Sequence, residues 1–328
     1  MAGCDDILHE PSWKLQAFNE GRFQEGTSHS HAAVGLPQQL PDPPGDRQSQ
    51  LALLSPIQVD PIYINFRARR PRLHVLAIAP NYSGFLDKGY TPLRYNDNDA
   101  RDLATLLAEQ EESGLYSKVF VDTLITAEQT KLQSIQYAFN DLVNRTRTET
   151  DDRFIAEEDV VLIFISGHGD VLDDEEFVII PSEYDPQNNL STVLDYESGV
   201  IRYLRRIERK TLLFIDACHS GVRETINRGT VEDSITSTAL FRLNQAAPGI
   251  LAFQSCREKE SSYENTAWEN GAFTEALLEA LRGRQLTLEG GADALEADRN
   301  EDGFLSIKEL MDYTGRRVPL LLQEVGLN

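Results

Sequence analysis

Thr211-Leu-Leu-Phe-Ile-Asp-Ala-Cys-His-Ser-Gly221 joins a short strand-like run, residues 211–215, to an acid, a thiol and a small-residue turn. A short apolar run bounded by turn signals reads as a buried strand. Its end at Asp216 places Cys218 at the carboxyl edge of a sheet, where open α/β folds keep their sites. Upstream, a run of the same design, Val160-Val-Leu-Ile-Phe-Ile165, ends in Ser166-Gly-His-Gly169. One strand delivers a histidine and the other a cysteine, fifty residues apart.

Outward from these two runs, strand and helix patterns alternate. Residues 73–79, 118–124 and 249–254 read as further strands. Residues 98–108 carry apolar side chains at 100, 103, 104 and 107, the 3.6-residue period of an amphipathic helix. Residues 126–144 read as a helix opened by the capping box Thr126-Ala-Glu-Gln129. Residues 201–209, 272–281 and 307–313 are also expected to be helical. Strands alternating with helices predict an α/β fold: a mostly parallel central sheet with helices on both faces. Residues 1–70 differ. Prolines recur (Pro11, Pro37, Pro41, Pro43, Pro44, Pro56, Pro61) and no period lasts, as expected of a flexible arm or pro-segment. An apolar patch at 13–18 offers this arm one docking point, and the folded domain is expected over 71–328.

Composition narrows the function classes. The 328 residues carry 31 basic and 53 acidic side chains, a net charge of −22. A nucleic-acid binder needs a basic face to displace phosphate counterions, so that class is excluded. An acidic body favours encounter with basic peptides. No apolar run approaches the roughly 20 residues of a membrane span. The acidic start, Met1-Ala-Gly-Cys-Asp-Asp, is unlike a signal peptide. Three scattered cysteines, Cys4, Cys218 and Cys256, make no disulfide framework and suit a reducing cytosol, so a cytoplasmic location is expected. His29 and His31 lack a third ligand for a metal.

The chemistry expected at the two strand ends is acyl transfer. A free thiol has a pKa of about 8.5, so only a few per cent is thiolate at neutral pH. An imidazole beside it takes the proton and later gives it to the leaving amine. His168 and Cys218 suit these roles if their strands are neighbours. The main-chain N–H groups of Gly169 and Cys218 are the natural oxyanion donors, worth roughly 3–4 kcal/mol.

Ser166-Gly-His-Gly169 followed by Asp216-Ala-Cys-His-Ser-Gly221 resembles the caspase-like clan of cysteine peptidases, and within it the metacaspases and their bacterial relatives, the orthocaspases. Leu93-Arg-Tyr-Asn-Asp-Asn-Asp-Ala100 is similar to that family's Leu-x-Gly-Cys-x-Asn-Asp-Ala segment, with Tyr95 and Asn96 in place of Gly-Cys, and Gly271-Ala-Phe-Thr274 to its Gly-x-Phe-Thr element. The resemblance runs from about residue 73 to 313 and implies a three-layer caspase-like fold. It implies a Cys218–His168 dyad and a first specificity pocket lined by Asp99, Asp216 and Ser166. Two carboxylates there favour Arg or Lys before the cleaved bond; at an effective dielectric of 20, a like charge 4 Å away costs about 4 kcal/mol. Arg94 is the nearby cation that an aspartate-directed pocket would need. Residues 222–248, with Arg223, Arg228 and Arg242, lie where family members often carry a cleavable linker, so self-processing is expected. The resemblance also points to bacterial stress, cell-death or defence settings.

Residues 298–309 fit the twelve-residue calcium-loop template, an EF-hand-like loop. Asp298, Asn300, Asp302, Ser306 and Glu309 stand at positions 1, 3, 5, 9 and 12, Phe304 at 7 and Gly303 at 6. The rival reading is that Ser306-Ile-Lys-Glu309 is a capping box. The acidic loop 170–176 with Glu183 and Asp185 is a second calcium candidate by resemblance, although Pro181-Ser-Glu183 departs from the usual Pro-x-Asp. The chemistry itself requires no cofactor. The competing classes are a non-catalytic scaffold of the same fold and a calcium-sensing interaction module. The sequence names no activating partner.

Overall fold

The computed structural model describes residues 70–83, 85–90, 92–113, 115–172, 177–219, 250–254, 263–283, 286–287 and 294–327, and Lys14–Gln16. Of residues 14–16, 86, 218–219, 254, 286–287 and 294–295 only the backbone is described. The chain divides into two compact units, Met1–Phe18 with Pro71–Asn328, and Asn19–Arg70. The sheet, its helices and the candidate site all belong to the first unit.

Five parallel strands make the body of the sheet: β1 (Arg72–Ile78), β2 (Lys118–Leu124), β3 (Val160–Val171), β6 (Lys210–His219) and β7 (Ile250–Gln254). Their order is β2-β1-β3-β6-β7. Side chains alternate between faces along a strand, and both faces are apolar here. Leu73, Val75, Leu162, Phe164, Leu212 and Phe214 pack on one face with α1 (Asn96–Glu109), α4 (Ala272–Leu281) and α5 (Ile307–Glu324). Leu76, Ile78, Val161, Ile163, Ile165, Leu213 and Ile215 pack on the other with α2 (Leu132–Arg145) and α3 (Arg202–Ile207). The result is the expected α/β fold of three layers around a mostly parallel sheet.

The two decisive strands run further than their apolar residues. β3 continues through Ser166-Gly-His-Gly169 to Val171, and β6 through Asp216-Ala-Cys-His219. The parallel register between them extends from Val160↔Lys210 to Gly169↔His219. The expected stop at Asp216 is therefore wrong as a strand end. Main-chain pairing needs no apolar side chain, so the hydrophobic pattern marks where the core ends rather than where the ladder ends. β1 stops opposite Ile165, and the edge of β3 left open beyond it is taken by an antiparallel strand, β4 (Phe177–Ile179), with β5 (Leu194–Asp195) outside it.

Two helix boundaries also shift. The Thr126–Gln129 reciprocal bonds form, but they close an isolated turn. Lys131 is extended at φ −65, ψ 150, and α2 begins at Leu132, whose N–H goes to Glu183 at 3.0 Å. At the C-terminus α5 runs through Gly315 and Pro319 to Glu324. Arg317 holds it there, with bonds to both Glu279 oxygens at 2.5 and 3.0 Å and to Glu324 at 2.6 Å. From the stretch expected to be a flexible arm, Lys14–Gln16 pairs in parallel with Phe304–Ser306.

Candidate active site

By the two-residue alternation, the positions of Ser166 and His168 on β3, and of Asp216 and Cys218 on β6, continue the face that carries Phe164 and Phe214. α1 and α4 cover this face. The register pairs Ser166 with Asp216 and His168 with Cys218. Adjacent strands lie about 4.8 Å apart, so the two positions expected to form the dyad are immediate neighbours. The Cys218 thiol lies outside the described residues, as do the proposed linker 222–248 and His29 and His31.

His168 is 3% exposed and sits among aromatic rings. Tyr82 lies 4.5 Å from it, centroid to centroid, and Tyr90 5.2 Å. The Tyr82 hydroxyl accepts the His168 main-chain N–H at 2.8 Å and donates to the Ile180 carbonyl at 2.9 Å. It thereby joins β3 to the residue that follows β4. Burial pushes the Tyr82 phenol well above its ordinary pKa, so it stays a neutral donor. A Cβ at Gly167 would lie 2.5 Å from that hydroxyl. The first glycine of Ser-Gly-His-Gly is thus required by Tyr82, which sequence reasoning did not single out. Tyr90 donates to Asp170 at 2.6 Å, which engages one acid of the second calcium candidate. Of the others, Glu183 caps α2 and Asp185 accepts from Gln187 N–H at 3.0 Å, while 173–176 lie outside the described residues. Gly169 stands opposite both Ile179 and His219.

The three residues expected to line the specificity pocket do converge. Asp99, in the first turn of α1, accepts the Ser166 hydroxyl at 2.7 Å and the Gly271 N–H at 2.8 Å. Asp216 accepts the Thr274 hydroxyl at 2.8 Å. Both aspartates are 2% exposed. A Cβ on Gly271 would lie 2.8 Å from Asp216 Oδ2 and 3.4 Å from Asp99 Oδ2, so only glycine lets the chain pass this close. The Gly271-Ala-Phe-Thr274 element was legible as a motif but not as a cradle for two acids. Burial, reinforced by the charge of Asp216, holds the Asp99 carboxyl well above the usual carboxylate range. Glu264 was not anticipated. It lies on β8 (Glu264–Asn265), which pairs with β9 (Asn270–Gly271). Its carboxylate accepts the main-chain N–H groups of Arg94 and Tyr95 at 2.8 and 2.9 Å. Burial, together with the charge of Asp216, raises its pKa. Arg94 itself is exposed, and its main-chain N–H is what meets this cluster.

The 298–309 loop is closed by its own hydrogen bonds. Asp298, fully buried, accepts from Asp302 and Gly303 N–H at 3.3 and 2.9 Å. Asp302 accepts from Phe304 N–H at 2.8 Å and from the Asn300 amide at 3.1 Å. Glu309 accepts from Arg299 N–H at 3.1 Å and from the Ser306 hydroxyl at 2.7 Å, and the full capping box is present. The oxygen-only donor set is of the right chemistry for calcium, but its carboxylates face backbone N–H groups. Among the described residues no group of three or more His, Cys, Asp or Glu side chains is arranged to hold a metal ion. Among them, too, no helix is long and apolar enough to cross a membrane.

The caspase domain family matches residues 72–318. Among solved structures, the crystal structure of caspase-1 from Spodoptera frugiperda is similar at 17% identity, over 65% of this chain and 69% of that one, with a TM-score of 0.35. No curated protein matches the chain.

Proposed function

The chain belongs to the caspase domain family, and from that premise we propose that it is a cysteine endopeptidase that cuts after Arg or Lys. The observation that carries this reading is the β3–β6 register, which pairs His168 with Cys218 one step beyond Ser166 and Asp216. In the proposed reaction His168 takes the Cys218 proton, and the thiolate attacks the scissile carbonyl. The tetrahedral oxyanion faces the main-chain N–H groups of Gly169 and Cys218. Collapse breaks the C–N bond as His168 returns the proton to the leaving amine. Water, deprotonated by His168, then hydrolyses the thioester and restores the thiol. Asp99 and Asp216 form the acidic pocket floor, oriented by Ser166, Gly271 and Thr274. Arg94, exposed and engaged through its main chain, supplies no guanidinium contact to that cluster to favour an aspartate-directed pocket.

Cleavage of an arginyl reporter, lost in Cys218→Ala and absent with an aspartyl reporter, is the expected result. Cleavage persisting in Cys218→Ala would sink the dyad. Self-processing within 222–248 belongs to the same proposal, and wild type should fragment where Cys218→Ala stays intact. A calcium ion here, apart from the chemistry, would be held by Asp298, Asn300, Asp302, Phe304 (main chain), Ser306 and Glu309, and would have to displace the main-chain N–H groups that the three carboxylates now accept from. Added calcium should raise the thermal midpoint of wild type but not of Glu309→Gln; no rise in wild type removes the site.

A further inference from the structure

The β8–β9 pair is antiparallel, with Glu264 directly opposite Gly271. Residues opposite one another in such a pair present their Cβ atoms on the same face. The Cβ that Gly271 lacks would meet Asp216 and Asp99. Glu264 therefore leaves the hairpin on the face that looks at both aspartates. Its carboxylate then reaches Arg94 and Tyr95, directly before the helix turn that carries Asp99. The two aspartates are almost wholly buried, whereas Glu264 is half-buried. The three acids thus make a floor of two carboxylates and a mouth with one.

We infer that Glu264 is a specificity-determining residue: a third carboxylate, at the mouth of the pocket, that selects a guanidinium over an ammonium before the cleaved bond. This rests on the basic-substrate reading above. A lysine ammonium is a compact charge with three donors, which two floor carboxylates satisfy. An arginine guanidinium is a planar fork with five N–H donors on more than one edge. Donors left unpaired in a desolvated pocket are costly, and a carboxylate nearer the mouth takes those that the floor does not reach. An ionised carboxylate has about four lone-pair sites. Main-chain N–H groups of Arg94, Tyr95 and Asn96 engage Glu264, which leaves it acceptor capacity for a substrate.

The test uses the full chain, two reporters that differ only in Arg or Lys, and the variants Glu264→Gln and Glu264→Asp. Gln keeps a carbonyl acceptor for the 94–96 backbone and removes the charge. Asp keeps the charge and withdraws it by one methylene. For Glu264→Gln, kcat/KM on the Arg reporter should fall about tenfold, the worth of one charge-assisted hydrogen bond. The loss should sit in KM, and the Lys reporter should fall by about threefold or less, because fewer of its donors reach the mouth. Glu264→Asp should keep more of the Arg preference, and it carries the test if the Gln variant fails to fold. Alkylation of Cys218 by iodoacetamide, which has no cation to place, should proceed at the wild-type rate. Equal losses on both reporters, or alkylation falling in step with turnover, would overturn the inference and leave Glu264 as an anchor for residues 94–96. A Glu264→Gln enzyme that loses nothing removes the inference alone. A wild type that alkylates normally yet cuts neither reporter removes the basic pocket and the inference with it.

Discussion

Asp99 shows how a single residue is set against the fold that holds it. A buried carboxyl beside a second carboxylate has a raised pKa, and a raised pKa means that the folded state holds the proton more tightly than the unfolded chain does. That contribution to stability is fully present below the unfolded pKa of about 3.9 and is lost as pH rises through the folded value. Asp99→Asn, which needs no ionisation, should therefore raise the thermal midpoint at neutral pH by about 2–4 °C for each kcal/mol recovered. The same change should lower kcat/KM on an arginyl reporter by about a hundredfold, the cost of one charge-paired contact. A variant both less stable and inactive would contradict this account. The same direction of shift predicts a pH effect on binding: as pH falls and Asp99 takes its proton, KM for a cationic peptide should rise. Gly167 makes a steric prediction. Gly167→Ala forces its Cβ against the Tyr82 hydroxyl, and overpacking of this kind costs roughly 1–3 kcal/mol. Adding Tyr82→Phe should return part of that loss, because the ring carbon that would remain lies 3.5 Å away. Denaturant midpoints of the two single variants and the double variant decide it.

Among the elements, α4 and α5 are locked by a buried pair. Glu279 is 1% exposed and Arg317 3%. Glu279 also accepts from Tyr313, and Arg317 reaches on to Glu324. Removing one partner of such a pair leaves an uncompensated buried charge and costs about 3–5 kcal/mol. Arg317→Leu should lose that much by urea unfolding, and adding Glu279→Leu should restore most of it. Because α4 begins at the residues that carry Gly271 and Thr274, the single variant should also weaken cleavage of an arginyl reporter. The sequence announces α5 by its capping box but not its length, since Gly315 and Pro319 both read as stops. The ion pair that overrides them joins residues 38 apart, which no local pattern reports. The same limit explains α2, whose box formed one turn too early for the helix.

At the scale of the molecule, the sheet carries the candidate site and a second buried charge cluster at opposite ends of its strands. At the amino-terminal edge Asp159 accepts Arg72 main-chain N–H at 2.7 Å and its Nε at 3.0 Å, and His74 lies 3.6 Å away, beyond hydrogen-bond range. Burial holds His74 below its ordinary pKa despite the pull of Asp159. A depressed histidine is neutral when folded and charged when unfolded, so stability falls as pH drops below about 6.5. The Asp159 carboxyl is depressed as well. Burial works against this, but the nearby His74 imidazole and the bonds from Arg72 and Ala156 prevail, and its contribution is lost only at lower pH, below the unfolded value of about 3.9. His74→Phe, stacked on Phe120 as the imidazole is, should flatten the stability profile between pH 6.5 and 5. A profile as steep as that of wild type would assign the loss to other groups. By itself the sequence determined the layered α/β architecture and the points where the two apolar runs leave the core, because apolar runs and glycine-flanked reactive residues are local signals. Motif resemblance also named Asp99, Asp216 and Ser166 as a set, and these three lie together. Only the tertiary structure decided that the ladder runs on past the core to pair His168 with Cys218, that Gly271 and Thr274 hold the two acids, and that Tyr82 and Glu264 complete the surroundings. Those contacts join residues up to 172 apart, and close approach between distant segments leaves no period or spacing in the chain.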